Sequence, residues 1–290
     1  MASRWATCGD MVSTHGLADA GRDVVRPWVL AAWDGFLLVA DGADLQRPSG
    51  APGQRGHDLC VQLGLWTEHR AVHDLVTSAR SGGQGPPPDV GDVRDAVVAA
   101  HLHASRDEVL SALRRRRDAV AIYFTNYDES LDLAPTVSSF GRIPLLSVLV
   151  GEAYLLAVTA LDLVPCGAPA PSAALLSGGL AALAEVTGAL AVDSGLTGSA
   201  AFRTPEGGWA FAAHEDGWTV SDLGSRRPGG TVVEGAAADL LGVAAGRLDG
   251  RALLATRRLR GQQLSGLLRF APLADQPSTP GTPLLLLAGF

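Results

Sequence analysis

The stretch IPLLSVLVGEAYLLAVTALDLVP (143–165) decides how the chain folds. It is apolar on all sides of a helical wheel, broken only by Glu152 and Asp162. A helix of that kind belongs at the centre of a helical bundle, surrounded by others. The two acids argue against a membrane span, and PLLLLAGF (283–290) is too short to be one. Working outward, amphipathic helices are expected at 18–42 (Val25, Val29, Ala32, Phe36, Val39), 57–80 (Leu59, Leu63, Trp66, Val72, Leu75) and 92–118. Pro27 should start or kink the first. The breaker-rich stretches LQRPSGAPGQRG (45–56) and SGGQGPPPDVGD (81–92) separate them.

A fifth helix, PSAALLSGGLAALAEVTGAL (171–190), leads out of this bundle. Beyond residue 198 the texture changes. AAFRTPEGGWAFAAHEDGWTVSDLG (200–224) alternates aromatic and small residues between PEGG and EDG turns, the pattern of a β-meander. TVVEGAAADLLGVAAGRL (231–248) reads as strand then helix, RALLATRRL (251–259) as a strand and GQQLSGLLRF (261–270) as a helix; ADQPSTPGTP (274–283) reads as a loose tail. The expected architecture is mostly α with α+β: a four-helix bundle over 1–195, then a small α+β domain over 196–290.

Composition narrows the function. The chain has 290 residues, and its 23 basic residues are all Arg. Without Lys there is no Schiff-base or Walker-type lysine. A net charge of -7 argues against nucleic acid as a partner. The one basic run, Arg114–Arg117, reads as a solvated helix end. Three separated cysteines make neither a zinc knuckle nor a disulfide framework, and the first fifteen residues lack an apolar signal core. The reading is a soluble cytoplasmic protein, monomer or homodimer, acting on a small molecule, from a GC-rich, actinobacterial-type genome.

PSGAPGQRGHDLCVQL (48–63), LLAVTALDL (155–163), GWTVSDLG (217–224), GGTVVEGAAADLLGVAAGRL (229–248) and LRGQQLSGLLRF (259–270) resemble segments of the actinobacterial maleylpyruvate-isomerase-like proteins. These are a mycothiol-dependent branch of the DinB-like superfamily with a sterol-carrier-protein-like C-terminal module, and the resemblance runs from about residue 20 to 272. It implies a divalent metal held by one His on the second helix and a Glu and a His four apart on the fourth. Those positions fall on Gln62, Leu155 and Thr159, none of which holds a cation well. Gln54 also replaces the Trp that follows Pro-Gly in the family. The implied state is a scaffold whose metal ligands are lost, with no cofactor beyond mycothiol as a possible co-substrate.

The expected pocket lies between Gln62, Leu155, Thr159 and Arg247, the last being the Arg that the resemblance places against an anionic substrate. Glu152, costly to bury unless paired or functional, is a candidate acid, with Tyr154 beside it. His101 and His103 lie on different faces of the third helix, and His101 is the candidate base. Trp66 and His69 complete the candidate lining, and Glu152 with His69 could build a displaced metal site. Three functions stay open: a metal-independent tailoring enzyme of secondary metabolism (isomerisation, cyclisation or thiol transfer), a mycothiol-dependent transferase or isomerase, and a non-catalytic binding or regulatory protein.

Overall fold

A computed structural model describes residues 15–66, 71–85 and 90–275. After a short 3-10 turn, Gly16–Ala20, helix α1 runs Arg22–Gly42 and accommodates Pro27 in its second turn. Its start is clamped by Arg22, whose Nε and Nη2 each lie 2.8 Å from an Asp132 carboxylate oxygen, while the Tyr123 hydroxyl donates to the same carboxylate. The predicted second helix is divided into α2 (Gly56–Leu63) and α3 (Ala71–Arg80). The break is at Gly64, where a Cβ would come within 2.8 Å of the Ala112 Cβ.

The predicted third helix is likewise two, α4 (Val90–Ala100) and α5 (Arg106–Asn126). Ser105 and Glu108 form a reciprocal capping box that starts α5 afresh: the Ser105 hydroxyl accepts from the Glu108 amide, and the Glu108 carboxylate from the Ser105 amide. His101 and His103 therefore sit in the intervening turn, not on a helix. A hairpin of β1 (Pro135–Ser138) and β2 (Gly141–Pro144), with no counterpart in the sequence reading, precedes α6 (Leu145–Leu163).

Helices α6 and α7 (Ala173–Asp193) form the most extensive helix pair, each long and apolar enough to cross a membrane and each 83% buried inside the fold over its most apolar window. They approach closely at Gly179, where a Cβ would stand 2.5 Å from the Ala157 Cβ. The other face of α7 carries a five-stranded sheet in the order β5-β4-β3-β6-β7. The strands are β3 (Gly198–Thr204), β4 (Gly207–His214), β5 (Gly217–Asp222), β6 (Val232–Gly235) and β7 (Leu259–Gln262).

The meander β3–β4–β5 is antiparallel as expected, and β6 joins β3 in parallel. Between β6 and β7 come α8 (Ala237–Ala244) and α9 (Gly250–Ala255), so most of the stretch read as a strand at 251–259 is helix. The final helix is 3-10 in type, Leu264–Asp275, and the tail beyond it lies outside the described residues. The molecule is mixed helix and sheet. One hydrophobic cluster runs from Leu17 to Leu273 through both parts, so the sheet and the helices share a core across the turn at 194–197.

Candidate functional site

Burial along α6 is uneven in a way that defines a face. Ala153, Leu156, Ala157 and Ala160 are completely buried, whereas Leu155 is half-buried, Val158 is 8% exposed and Thr159 9%. Glu152, Leu155, Thr159 and Asp162 recur at spacings of three and four, which sets them in one stripe about 15 Å long. The acids lie at its two ends. Each is bound by an Arg brought from elsewhere in the chain.

At one end Glu152 accepts from the Trp33 indole (Nε1 to Oε2, 2.9 Å) and, through Oε1, from Arg116 of α5. Both carboxylate oxygens are committed to fixed donors, so Glu152 holds the site's geometry rather than standing free as an acid. Arg116 comes from the run expected at a solvated helix end. That run instead lies in the middle of α5: Arg117 binds Asp34, the Arg115 Nε donates to the Leu65 carbonyl and Arg116 turns inward. Four consecutive helical residues sweep about 300° of the circumference, so one of four must face the core.

At the other end Arg247 binds Asp162 through Nε, 3.2 and 3.1 Å from the two oxygens. Burial pushes the Asp162 carboxyl up, and the Arg247 charge only partly reverses this. Arg94 of α4 lies close enough to Arg247 for the two cations to repel; with desolvation as the larger cause and this repulsion second, its pKa is lowered. Arg94 is exposed, and it has no carboxylate partner among the described residues. At this end, then, Arg247 is paired with Asp162 and Arg94 stands within electrostatic range of Arg247.

Between these ends stand Leu155 and Thr159, whose hydroxyl has no hydrogen-bond partner among the described residues. Gln62, half-buried in the last turn of α2, is unpartnered in the same sense, and α2 packs against α4, α5 and α6. Tyr154 is buried too, but two positions on from Glu152 it lies about 200° round the helix from it.

Trp66 and His101 belong to a different place. Their rings stack with centroids 3.7 Å apart and planes 14° apart, and the Trp66 indole donates to the Val61 carbonyl. They line an open groove of about 470 Å³ with Asp107, Glu108, Ser111 and Arg115, which includes no residue of α6. The structure thus separates His101 and Trp66 from the stripe with which the sequence reading grouped them; the Gly64 and Ser105 breaks carry both out of their expected helices. His69 lies outside the described residues.

A divalent metal does not fit the donor set on the stripe. Leu155 offers no donor, Thr159 and Gln62 offer one weak neutral oxygen each, and Glu152 is taken up by Arg116 and Trp33. Among the described residues no group of three His, Cys, Asp or Glu side chains is placed to hold an ion. Cys60 and Cys166 are free and buried, and burial pushes the Cys60 thiol up to about 12, which leaves it inert as a nucleophile.

The fold, helices around α6 with a sheet behind α7, has a known counterpart. The chain shares its fold with the mycothiol-dependent maleylpyruvate isomerase. The crystal structure of that isomerase superposes with a TM-score of 0.54 at 15% identity, covering 81% of this chain and 93% of the isomerase. A histidine-to-alanine mutant of the isomerase superposes equally well, covering 80% and 92%. No family model matches the chain, and no curated protein matches it in sequence. At this identity the isomerase comparison speaks for the fold alone.

Proposed function

We propose that this protein is an enzyme of small-molecule metabolism that acts on a small anionic substrate along the α6 stripe without a resident metal ion, as a tailoring enzyme of secondary metabolism. The chemistry is isomerisation, cyclisation or thiol transfer. The observation that carries this reading is the charge asymmetry of the stripe: Arg247 and Arg94 converge where Asp162 neutralises only one of them. A guanidinium with spare N–H donors is suited to a carboxylate. Thr159 and Gln62 would supply hydrogen bonds to the rest of the substrate, Leu155 an apolar wall, and Glu152 the fixed floor. Rate enhancement would come from positioning within this frame. The reading keeps the two-part organisation, a DinB-like bundle to about residue 195 and a sterol-carrier-protein-like domain beyond it, with the pocket at their join.

A second reading makes mycothiol the co-substrate. It is favoured by the two solved structures of this fold, both of a mycothiol-dependent isomerase, and by the lack of an activated thiol of the protein's own among the described residues. An external thiol would then be the nucleophile.

Calorimetric titration with small mono- and dicarboxylates, repeated with mycothiol, tests both. The proposal expects carboxylate binding that weakens at least about tenfold in Arg94→Ala, a loss typical of one charge-assisted hydrogen bond. Absence of binding by every carboxylate, or a stoichiometric tightly held metal in the purified protein, would overturn it. Turnover that appears only with mycothiol selects the second reading.

A further inference from the structure

We propose that Glu185 is the sensor of a pH-dependent latch that holds the N-terminal turn, residues 15–20, and strand β5 against the helical core. Glu185 lies in the middle of α7 and is completely buried. Its donors come from three separate elements. The Leu17 amide (2.7 Å) and the Trp218 indole of β5 (3.2 Å) reach Oε2, and the Ser147 hydroxyl of α6 reaches Oε1 (2.7 Å), while the Ala18 amide closes the turn on the His15 carbonyl.

The arrangement can serve a neutral carboxyl group as well as a charged one. Oε2 receives N–H donors that can only donate, as a carbonyl oxygen would. Oε1 faces a hydroxyl, the one partner able to turn round and accept a proton from it. Neither Arg nor His lies within ion-pair distance of Glu185 among the described residues. The elements packed on it bring Ser147 from α6, Trp218 from β5, and the Leu17 amide from the N-terminal turn. The turn also carries His15 and Asp19 (Nδ1 to Oδ1, 3.3 Å), and His15 meets Trp218 edge-on with ring centroids 5.5 Å apart. Desolvation, opposed by these hydrogen bonds, pushes the Glu185 carboxyl up to about 7.

The turn is built tightly around this contact. Gly16 has φ +59°, and a Cβ there would stand 2.2 Å from Glu185 Oε2 and 2.1 Å from Trp218 Nε1. Residue 15 also bridges Trp218 in the manner of a parallel strand. When Glu185 ionises, a charge without a counter-ion remains in the core, and opening the turn admits water to it. An acid whose closed-state pKa lies above its open-state value closes the latch most firmly below the open-state value. The advantage is lost as pH rises through about 7.

The test is amide hydrogen exchange of Leu17 and Ala18 in the full chain, corrected for intrinsic base catalysis, at pH 5 and pH 8. Opening should increase at least about tenfold between the two. Glu185→Gln keeps an acceptor for the Leu17 amide and a donor for Ser147, and should exchange slowly at both values. His15→Gln should keep the wild-type dependence, which separates Glu185 from the neighbouring imidazole. Infrared difference spectra of the wild type should show a protonated carboxyl band lost over the same range. Corrected exchange that does not change with pH, a Gln variant that opens at pH 5, or a dependence that survives Glu185→Gln would each overturn the proposal.

Discussion

Arg247 meets Asp162 through its Nε, with 3.2 and 3.1 Å to the two carboxylate oxygens, and so ties the segment after α8 to the last turn of α6. Asp162 is almost fully buried while about a third of the Arg247 side chain stays in contact with solvent. The contact therefore spans the join between helices and sheet with its anion inside and its cation at the mouth.

Arg247→Ala should lower stability by about 1–2 kcal/mol, less than a fully buried pair because the cation is partly hydrated. Asp162, already pushed up by burial, loses the group that draws it down, so the variant's loss should grow from pH 5 to pH 8. Denaturant midpoints across that range check this. Arg247→Ala, Asp162→Asn together should recover part of the loss.

Arg116→Ala strands the Glu152 carboxylate with the Trp33 indole as its one remaining side-chain partner among the described residues. The expected cost is about 3–5 kcal/mol, the usual result of removing one member of a buried ion pair. Glu152→Gln in the same chain should restore at least half of it. Equilibrium unfolding of the two single variants and the double variant measures the coupling.

Thr159→Val and Gln62→Leu remove polar groups that have no partner among the described residues. Each should leave stability within about 0.5 kcal/mol of the wild type. Carboxylate affinity should nevertheless fall about 5–10-fold, the value of one hydrogen bond. A thermal melt beside a calorimetric titration separates the two effects; unchanged affinity in both variants would remove Thr159 and Gln62 from the site.

Ser105→Ala deletes the capping box at the start of α5 and should cost about 1 kcal/mol. Because the His101 turn leads directly into that cap, stacking of His101 on Trp66 should loosen as well. A red shift in Trp emission, together with the lower melting temperature, is the expected signature.

Overall stability should carry the imprint of Glu185. The carboxyl is neutral and stabilising at low pH, and this contribution declines as pH rises from about 4.5 through about 7. The integrated loss is bounded at about 3.5 kcal/mol, the rise from 4.5 to about 7 taken at about 1.4 kcal/mol per pH unit. The difference in unfolding free energy between wild type and Glu185→Gln, followed from pH 4.5 to 8.5, reports this contribution free of the other acids.

Much of the fold could be read from local pattern. Apolar spacing located α1, α6 and α7, and alternation with Gly turns located the β3–β5 meander, because both depend on periods of a few residues. Some breaks were missed although a signal was present: Ser105-x-x-Glu108 is a capping-box pattern, yet the apolar spacing of 92–118 runs straight through it. At Gly64 the crowding that a side chain would meet comes from Ala112 and Trp66, and Ala112 is brought there by packing rather than by anything local. The hairpin at 135–144 has four-residue strands, too short for alternation to register.

The candidate site divides along the same line. Residue order alone established that Glu152, Leu155, Thr159 and Asp162 share a helical face, and that Glu152 in so apolar a helix required a partner or a task. Which Arg would answer it was a matter of packing. Arg116 lies 36 positions before Glu152, and Arg247 lies 85 positions after Asp162. Helical period is set by backbone geometry within a turn or two, whereas the pairing of buried charges is set by which distant segments the closed core brings together, and no local pattern encodes that choice.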